Sequence, residues 1–333
     1  MRRKVLIALA VLIALAALAG LLAFNWLQGQ LKPMPAGPPF YVRYAKGESF
    51  QAVLRDLQTR SVVRNPDAFN YWAKWAKKSR RIDTGTYQLN PGMTPDQVLD
   101  ALSKPVRQMV RLPEGWWIAR TARILEDKGV CKADEYIALT KEPTKFQPSV
   151  NFPLPKDSLE GYLFPDTYDL PPLLGAEETI RRQLRTFETK VVKPLGSPKN
   201  LDRLVTIGSL IEAEVAQDRE RPIVAGLIEN RAKIGMLLQI DATVLYALQE
   251  WKELGPGVVK TVESPYNTYL HAGLPPGPIG SPGYKSIEAA AKPKANPYLY
   301  YVALPDRTHL FSADYAGHLA NIRKRKAALK AVK

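Results

Sequence analysis

Between residues 203 and 246 an apolar helical stripe is interrupted by Glu214, and a dense polar run follows: Asn230, Arg231, Gln239, Asp241 and Thr243. A helix turns about 100° per residue, which puts Ile207, Leu210 and Ile211 within roughly 60° of Glu214 and turns Glu212 about 160° away. One carboxylate is thereby aimed at apolar surroundings and its neighbour at solvent. Loss of water disfavours the charged form, so Glu214 is expected to keep its proton to higher pH than an exposed glutamate, as a general acid requires. Arg203, Gln217 and Arg221 share its face, so a buried ion pair stands beside the catalytic reading.

The elements around this helix are shaped for a cleft. A second amphipathic stretch covers Ala225 to Leu248, but Ile234–Met236 and Gln239–Thr243 do not continue its stripe. Gln239, Asp241 and Thr243 offer hydrogen bonds suited to a hydroxyl-rich ligand. Proline- and glycine-bearing runs follow at Ser264–Tyr269, Gly273–Ile279 and Ser281–Gly283, which read as rigid turns. Tyr266, Asn267 and Thr268 in the first of these are further substrate-binding candidates.

Other chemistries lack their residues. His271, His309 and His318 have no metal-ligand spacing, and there is neither a His-Glu-x-x-His nor a Gly-x-Ser-x-Gly motif. No serine is followed by lysine three positions on, and no glycine-rich phosphate loop occurs. No metal and no cofactor is expected. Glycoside cleavage remains, and with Asp241 or Glu220 as a second carboxylate the reaction would be hydrolytic.

The ordered motifs carry a resemblance. Ser209–Glu214, Glu220–Arg221, Asn230–Arg231, Ile234–Gly235–Met236, Gln239-x-Asp241-x-Thr243, Ser264–Tyr269, Gly273–Ile279 and, upstream, Leu159–Tyr168 together resemble the MltG/YceG family of membrane-anchored endolytic transglycosylases of bacterial peptidoglycan. The resemblance covers essentially the whole chain. It departs at Val215, where a small polar residue is usual, and at Glu229, where an apolar one is usual. It implies that Glu214 is the catalytic acid and that His309 lies on a strand near the cleft. It also implies a one-glutamate route between N-acetylmuramic acid and N-acetylglucosamine that closes a 1,6-anhydro ring. A muramidase and a non-enzymatic wall-binding scaffold are the rival readings.

Composition and the amino terminus set the compartment. The chain has 333 residues, and 47 basic against 32 acidic side chains give a formal charge of +15, which favours an anionic partner. Arg2–Arg3–Lys4 precede a charge-free apolar run from Val5 to Phe24, about 30 Å of helix and enough for a bilayer core. The basic flank is expected in the cytoplasm and the remainder outside a bacterial cytoplasmic membrane, in the periplasm where there is one. The run exceeds the usual signal-peptide core, which favours an anchor over a cleaved leader ending at Ala17–Leu18–Ala19. Cys131 is the only cysteine, so no internal disulfide forms. This topology argues against nucleic acid despite the aromatic and basic run Tyr71–Arg81, read instead as a helix with a solvated cationic face and a buried aromatic edge.

The expected fold class is α+β: a single transmembrane helix, a small LysM-like α+β module and a larger α+β catalytic domain. The divisions are a cytoplasmic tip at 1–4, a transmembrane helix at 5–27, a proline-rich linker at 28–39, the LysM-like module at 40–105 and the catalytic domain at 106–333. The LysM likeness rests on Lys46–Ser49 and element order, with glycan binding or a ligand-free spacer as its two meanings. Residues 143–175 read as a long irregular loop bordering a cleft, and Tyr298–Ala303 with His309–Phe311 as a hairpin. Expected partners are peptidoglycan glycan strands and the membrane, with peptidoglycan synthases or divisome and elongasome proteins as further candidates.

Overall fold

The computed structural model describes residues 2–252, 254, 255 and 257–331. The chain divides into two compact units, one of residues 1–108 with 171–174, the other of residues 109–170 with 175–333. Mixed helix and sheet run through both, and an apolar helix leads the chain.

In the first unit, α1 (Arg2–Gln30) is followed by β1 (Phe40–Tyr44), α2 (Phe50–Thr59), α3 (Pro66–Trp75), β2 (Gly85–Leu89) and α4 (Pro95–Ser103). Each short helix starts where a side chain satisfies its free backbone N–H groups. Ser49 accepts from Ala52, Asn65 accepts from Asp67 and Ala68, and Thr94 with Gln97 forms a reciprocal capping box. Strands β1 and β2 pair antiparallel, Val42 opposite Tyr87, and bury Val42, Tyr44, Tyr87 and Leu89 against Val53, Leu54, Leu57 and Val98. Trp72 packs against this core, whereas Tyr71 and Trp75 face solvent, so only part of the aromatic run is the buried edge expected of it. The linker is tied down: Gly37 N–H donates to the Pro91 carbonyl at 3.3 Å, and a Cβ on Gly92 would stand 3.0 Å from the Ala36 backbone.

The second unit holds β3 (Met109–Arg111), α5 (Ile118–Asp127), α6 (Ala133–Thr140), α7 (Pro143–Phe146), β4 (Thr167–Asp169), α8 (Ala176–Phe187), α9 (Leu201–Glu214), α10 (Arg221–Lys233), α11 (Asp241–Leu248), α12 (Tyr284–Ala291), β5 (Tyr300–Ala303), β6 (His309–Ser312) and α13 (Tyr315–Ala331). Helix α9 is its axis, buried on nearly every side from Leu204 to Ile211, as an apolar helix without a polar face must be. Small residues let neighbours close on it. A Cβ on Gly208 would meet Ile287 of α12 at 3.1 Å, and one on Gly161 would stand 2.6 Å from Pro278 and 2.8 Å from Val205. The Glu160–Gly161 and Pro275–Ile279 motifs therefore meet over α9, and Ser209 Oγ accepts from Ile279 N–H at 3.0 Å.

The stretch Ala225 to Leu248 is two helices, α10 and α11, parted across 234–240 where its stripe lapses, with Gly235 at φ +69° and Gln239 at φ +52°. Residues 143–175 are less irregular than their proline content suggested. They contribute α7 and β4, pair with β3 through Thr167–Asp169, and bury Phe152 and Tyr162 against Phe187 with ring centroids 5.1–6.4 Å apart. The expected hairpin is formed by β5 and β6, with Ala303 opposite His309.

Candidate active site

Glu214 is the last residue of α9, where the helix stops and Val215 turns into extended backbone. Its Oε2 accepts a hydrogen bond from the Tyr301 hydroxyl on β5 at 2.9 Å. Burial pushes the carboxyl above the usual carboxylate range and the Asp241 charge adds to this, while the Tyr301 bond and the Arg231 charge oppose it. Glu214 still reaches solvent, because it lines two depressions. One, of about 400 Å³, includes Gln239, Asp241, Tyr269, Tyr301, His318 and Arg325. The other, of about 290 Å³, includes Glu212, Val215, Leu304, Arg307 and His309. An acid shared by two adjoining pockets has room for substrate on both sides of it.

None of the arginines on the expected face pairs with Glu214. Arg203 pairs with Glu229 at 2.6 Å, and Arg221 with Glu212 at 3.2 Å and Asp218 at 3.1 Å. Glu212 is the larger correction, because helical rotation aimed it at solvent. Its side chain is 9% exposed and accepts from Gly283 N–H at 3.0 Å and Ser286 Oγ at 2.8 Å. A helix covered on all sides has no solvent face to offer, so turning away from Glu214 brings Glu212 to α12.

The remaining polar groups around the acid are committed to the frame. Arg231 donates to the carbonyls of Leu299 and Leu238, and Asn230 Nδ2 donates to those of Asn296 and Tyr298, stitching α10 to the entry of β5. His309 Nδ1 lies 2.7 Å from Glu220 Oε2, both residues buried, and Glu220 Oε1 accepts from His309 N–H at 3.3 Å. Glu220 is thus occupied by His309, which leaves Asp241 as the other carboxylate of the larger pocket.

Of the substrate-binding candidates, Gln239 and Asp241 line the pocket with Glu214. Asp241 Oδ1 accepts from the Tyr269 hydroxyl at 2.5 Å. Thr243, Asn267 and Thr268 are buried and build the wall behind it. Thr243 Oγ1 donates to the Ile240 carbonyl at 2.7 Å and lies 3.0 Å from Thr268 Oγ1, and Asn267 Nδ2 donates to the carbonyls of Val259 and Val262. Tyr266 packs against Tyr246 with the rings tilted and centroids 4.8 Å apart, and lines neither pocket. Sequence reasoning passed over Tyr301, Tyr269, His318 and Arg325. Only the aromatic run 298–301 hinted at the first.

Another buried acid was also missed. Glu160 accepts from Ile118 N–H at 3.1 Å and from the Tyr246 hydroxyl at 3.4 Å, and burial pushes its carboxyl up to about 8. It supplies the cap that Trp117 does not give to α5.

The YceG-like family matches residues 42–324, and the chain belongs to that family. It is 29% identical over 83% of its length to a Bacillus subtilis protein named endolytic murein transglycosylase, of which it covers 82%. A Streptococcus pneumoniae protein of the same name is 30% identical over 88% of the chain, which spans 60% of that relative's length. The crystal structure of a putative YceG-like protein from Listeria monocytogenes superposes with a TM-score of 0.56 at 28% identity, covering 85% of this chain and 99% of that one.

Proposed function

We propose that the chain is an endolytic lytic transglycosylase that cuts the β-1,4 bond between N-acetylmuramic acid and N-acetylglucosamine within peptidoglycan strands. The carrying observation is one desolvated carboxyl, Glu214, at the junction of two pockets, with Tyr301 as its side-chain donor. The names borne by its relatives support the same reaction.

The protonated Glu214 gives its proton to the glycosidic oxygen, and the bond from that oxygen to the muramyl C1 breaks. The muramyl N-acetyl group steadies the positive charge at C1. The sugar's own C6 oxygen then bonds to C1, and its proton returns to Glu214, now a base. Water takes no part, which suits an acid kept protonated by burial. Tyr301 holds Oε2, so Oε1 is left to meet the substrate. Gln239 and Asp241 are the pocket groups placed to hold sugar hydroxyls.

A muramidase remains the second reading because Asp241 shares the pocket and would serve to activate water. Replacing Glu214 with glutamine and digesting purified peptidoglycan separates the readings. Loss of about 10²–10⁴-fold in anhydro-muramyl ends is expected of a lost general acid. Undiminished anhydro ends overturn the assignment, and reducing ends from the wild type make the enzyme a muramidase.

The same reading places α1 across the cytoplasmic membrane with Arg2–Lys4 inside, in keeping with the positive-inside bias. The β1–β2 unit is then a LysM-like module that holds glycan near the enzyme, and strand-making synthases or division and elongation proteins are its candidate neighbours.

A further inference from the structure

We infer that the face of α13 bearing His318, Ile322 and Arg325 reads a carboxylate carried by the muramyl residue, an inference resting on the function just proposed. The three residues stand at i, i+4 and i+7, one side of a helix, and all line the larger pocket with Glu214. Their presentation is fixed. Helix α13 packs across β5 and β6, and the buried Asn321 donates through Nδ2 to the Phe311 carbonyl at 3.3 Å.

The pocket's other charges are already engaged. Arg231 is taken up by backbone carbonyls, Asp241 by Tyr269, and Glu214 by Tyr301. Arg325 is exposed and makes no ion pair with any described residue. His318 is clamped between Tyr300 and Tyr315, centroids 5.1 and 6.0 Å away, yet its buried Nδ1 finds no hydrogen-bond partner among the described residues. A buried ring nitrogen without a partner is costly, and a ligand that supplies one recovers that cost. Burial and the Arg231 charge hold this imidazole below its usual range, so it is neutral at pH 7 and the charge recognition falls to Arg325.

A guanidinium recognises a carboxylate through paired N–H donors. Peptidoglycan offers that group from two sources, the stem peptide, or the lactyl arm once the peptide is gone. Arg325 is two turns, about 10 Å, from His318 along the helix, and the charges that act on the Glu214 carboxyl are those of Asp241, His309 and Arg231.

The test is binding by the full chain in detergent with Glu214→Gln in place, so that strands stay whole. Labelled strands are used in three forms: peptide-bearing, stripped of peptide to expose the lactyl carboxylate, and peptide-bearing with every carboxylate converted to an amide. Arg325→Gln is expected to weaken binding roughly five- to tenfold on at least one carboxylate-bearing form and to leave amidated strands unaffected. The form that shows the loss identifies the source. Arg325→Lys should recover part of it. Equal weakening on amidated strands, or none on any form, overturns the inference. Anhydro ends released by Glu214→Gln would instead overturn the function reading, while the binding comparison would stand.

Discussion

A hydroxyl 2.9 Å from one oxygen of Glu214 decides how far the carboxyl's proton can be trusted to stay. Burial raises this group's pKa and the Tyr301 bond lowers it, so Tyr301→Phe should raise it further. A general acid works only while protonated, and the alkaline fall in kcat/KM should move to higher pH, with kcat lower. A pH–rate profile on purified strands checks both, and a limb that stays put or moves down contradicts the role given to Tyr301. Glu160 makes a separate prediction, on stability. Its folded carboxyl, at about 8, lies above its unfolded value, so the folded state holds the extra proton in between. That contribution is full below pH about 4.5 and is lost as pH rises to about 8, on the order of several kcal/mol at most. Thermal unfolding should show the wild type weakening across that window and Glu160→Gln weakening less, the slope that is left coming from other raised carboxyls such as Glu214. The burial of the Glu214 carboxyl was legible from its own stripe. Tyr301 was not, because the contact spans 87 positions and no local period reports it.

At the scale of elements, the site is built by glycines that bring backbones together. A Cβ on Gly226 of α10 would stand 2.3 Å from the Lys294 carbonyl oxygen and 2.5 Å from Asn296 Nδ2, in the segment that carries Asn230's acceptors into β5. Backbone cannot step aside as a flexible side chain can, so Gly226→Ala should cost about 3 kcal/mol, the upper end of overpacking. Denaturant melts give the loss, and since β5 carries Tyr301, activity should fall with it; an unchanged midpoint would mean that the α10–β5 contact yields freely. The β5–β6 hairpin was readable, its strands falling on Tyr298–Ala303 and His309–Phe311. The strand β4 was harder, because it depends on a distant partner, β3. The fate of Glu212 has the same origin, since helical rotation tells which way a side chain points but not what covers that side.

For the whole molecule, the decisive physical fact is the helix at its start. Helix α1 spans 29 residues with a mean hydropathy of 3.0 in its most apolar window, and none of that window is buried against the protein. At about 1.5 Å per residue it extends roughly 43 Å, longer than the hydrocarbon core of a bilayer. Left in water, Val5, Leu6, Ile7, Leu12, Ile13 and their neighbours would each lie more than half exposed, and such a surface associates with lipid. A cleaved leader would end this helix near Gly20, whereas an anchor keeps all of it. The full chain should therefore stay with the membrane through high salt and alkaline carbonate and leave it only in detergent. A chain starting at Lys32 should appear in the soluble fraction, because the charges it keeps have no apolar segment to hold them to lipid. Sequencing the amino terminus of the membrane-bound protein completes the test: a start at residue 1 or 2 fits the anchor, and a start near Gly20 removes it. Anchoring would also confine the enzyme's reach to glycan lying close to the membrane, so the truncated chain should still form anhydro ends on purified peptidoglycan in solution.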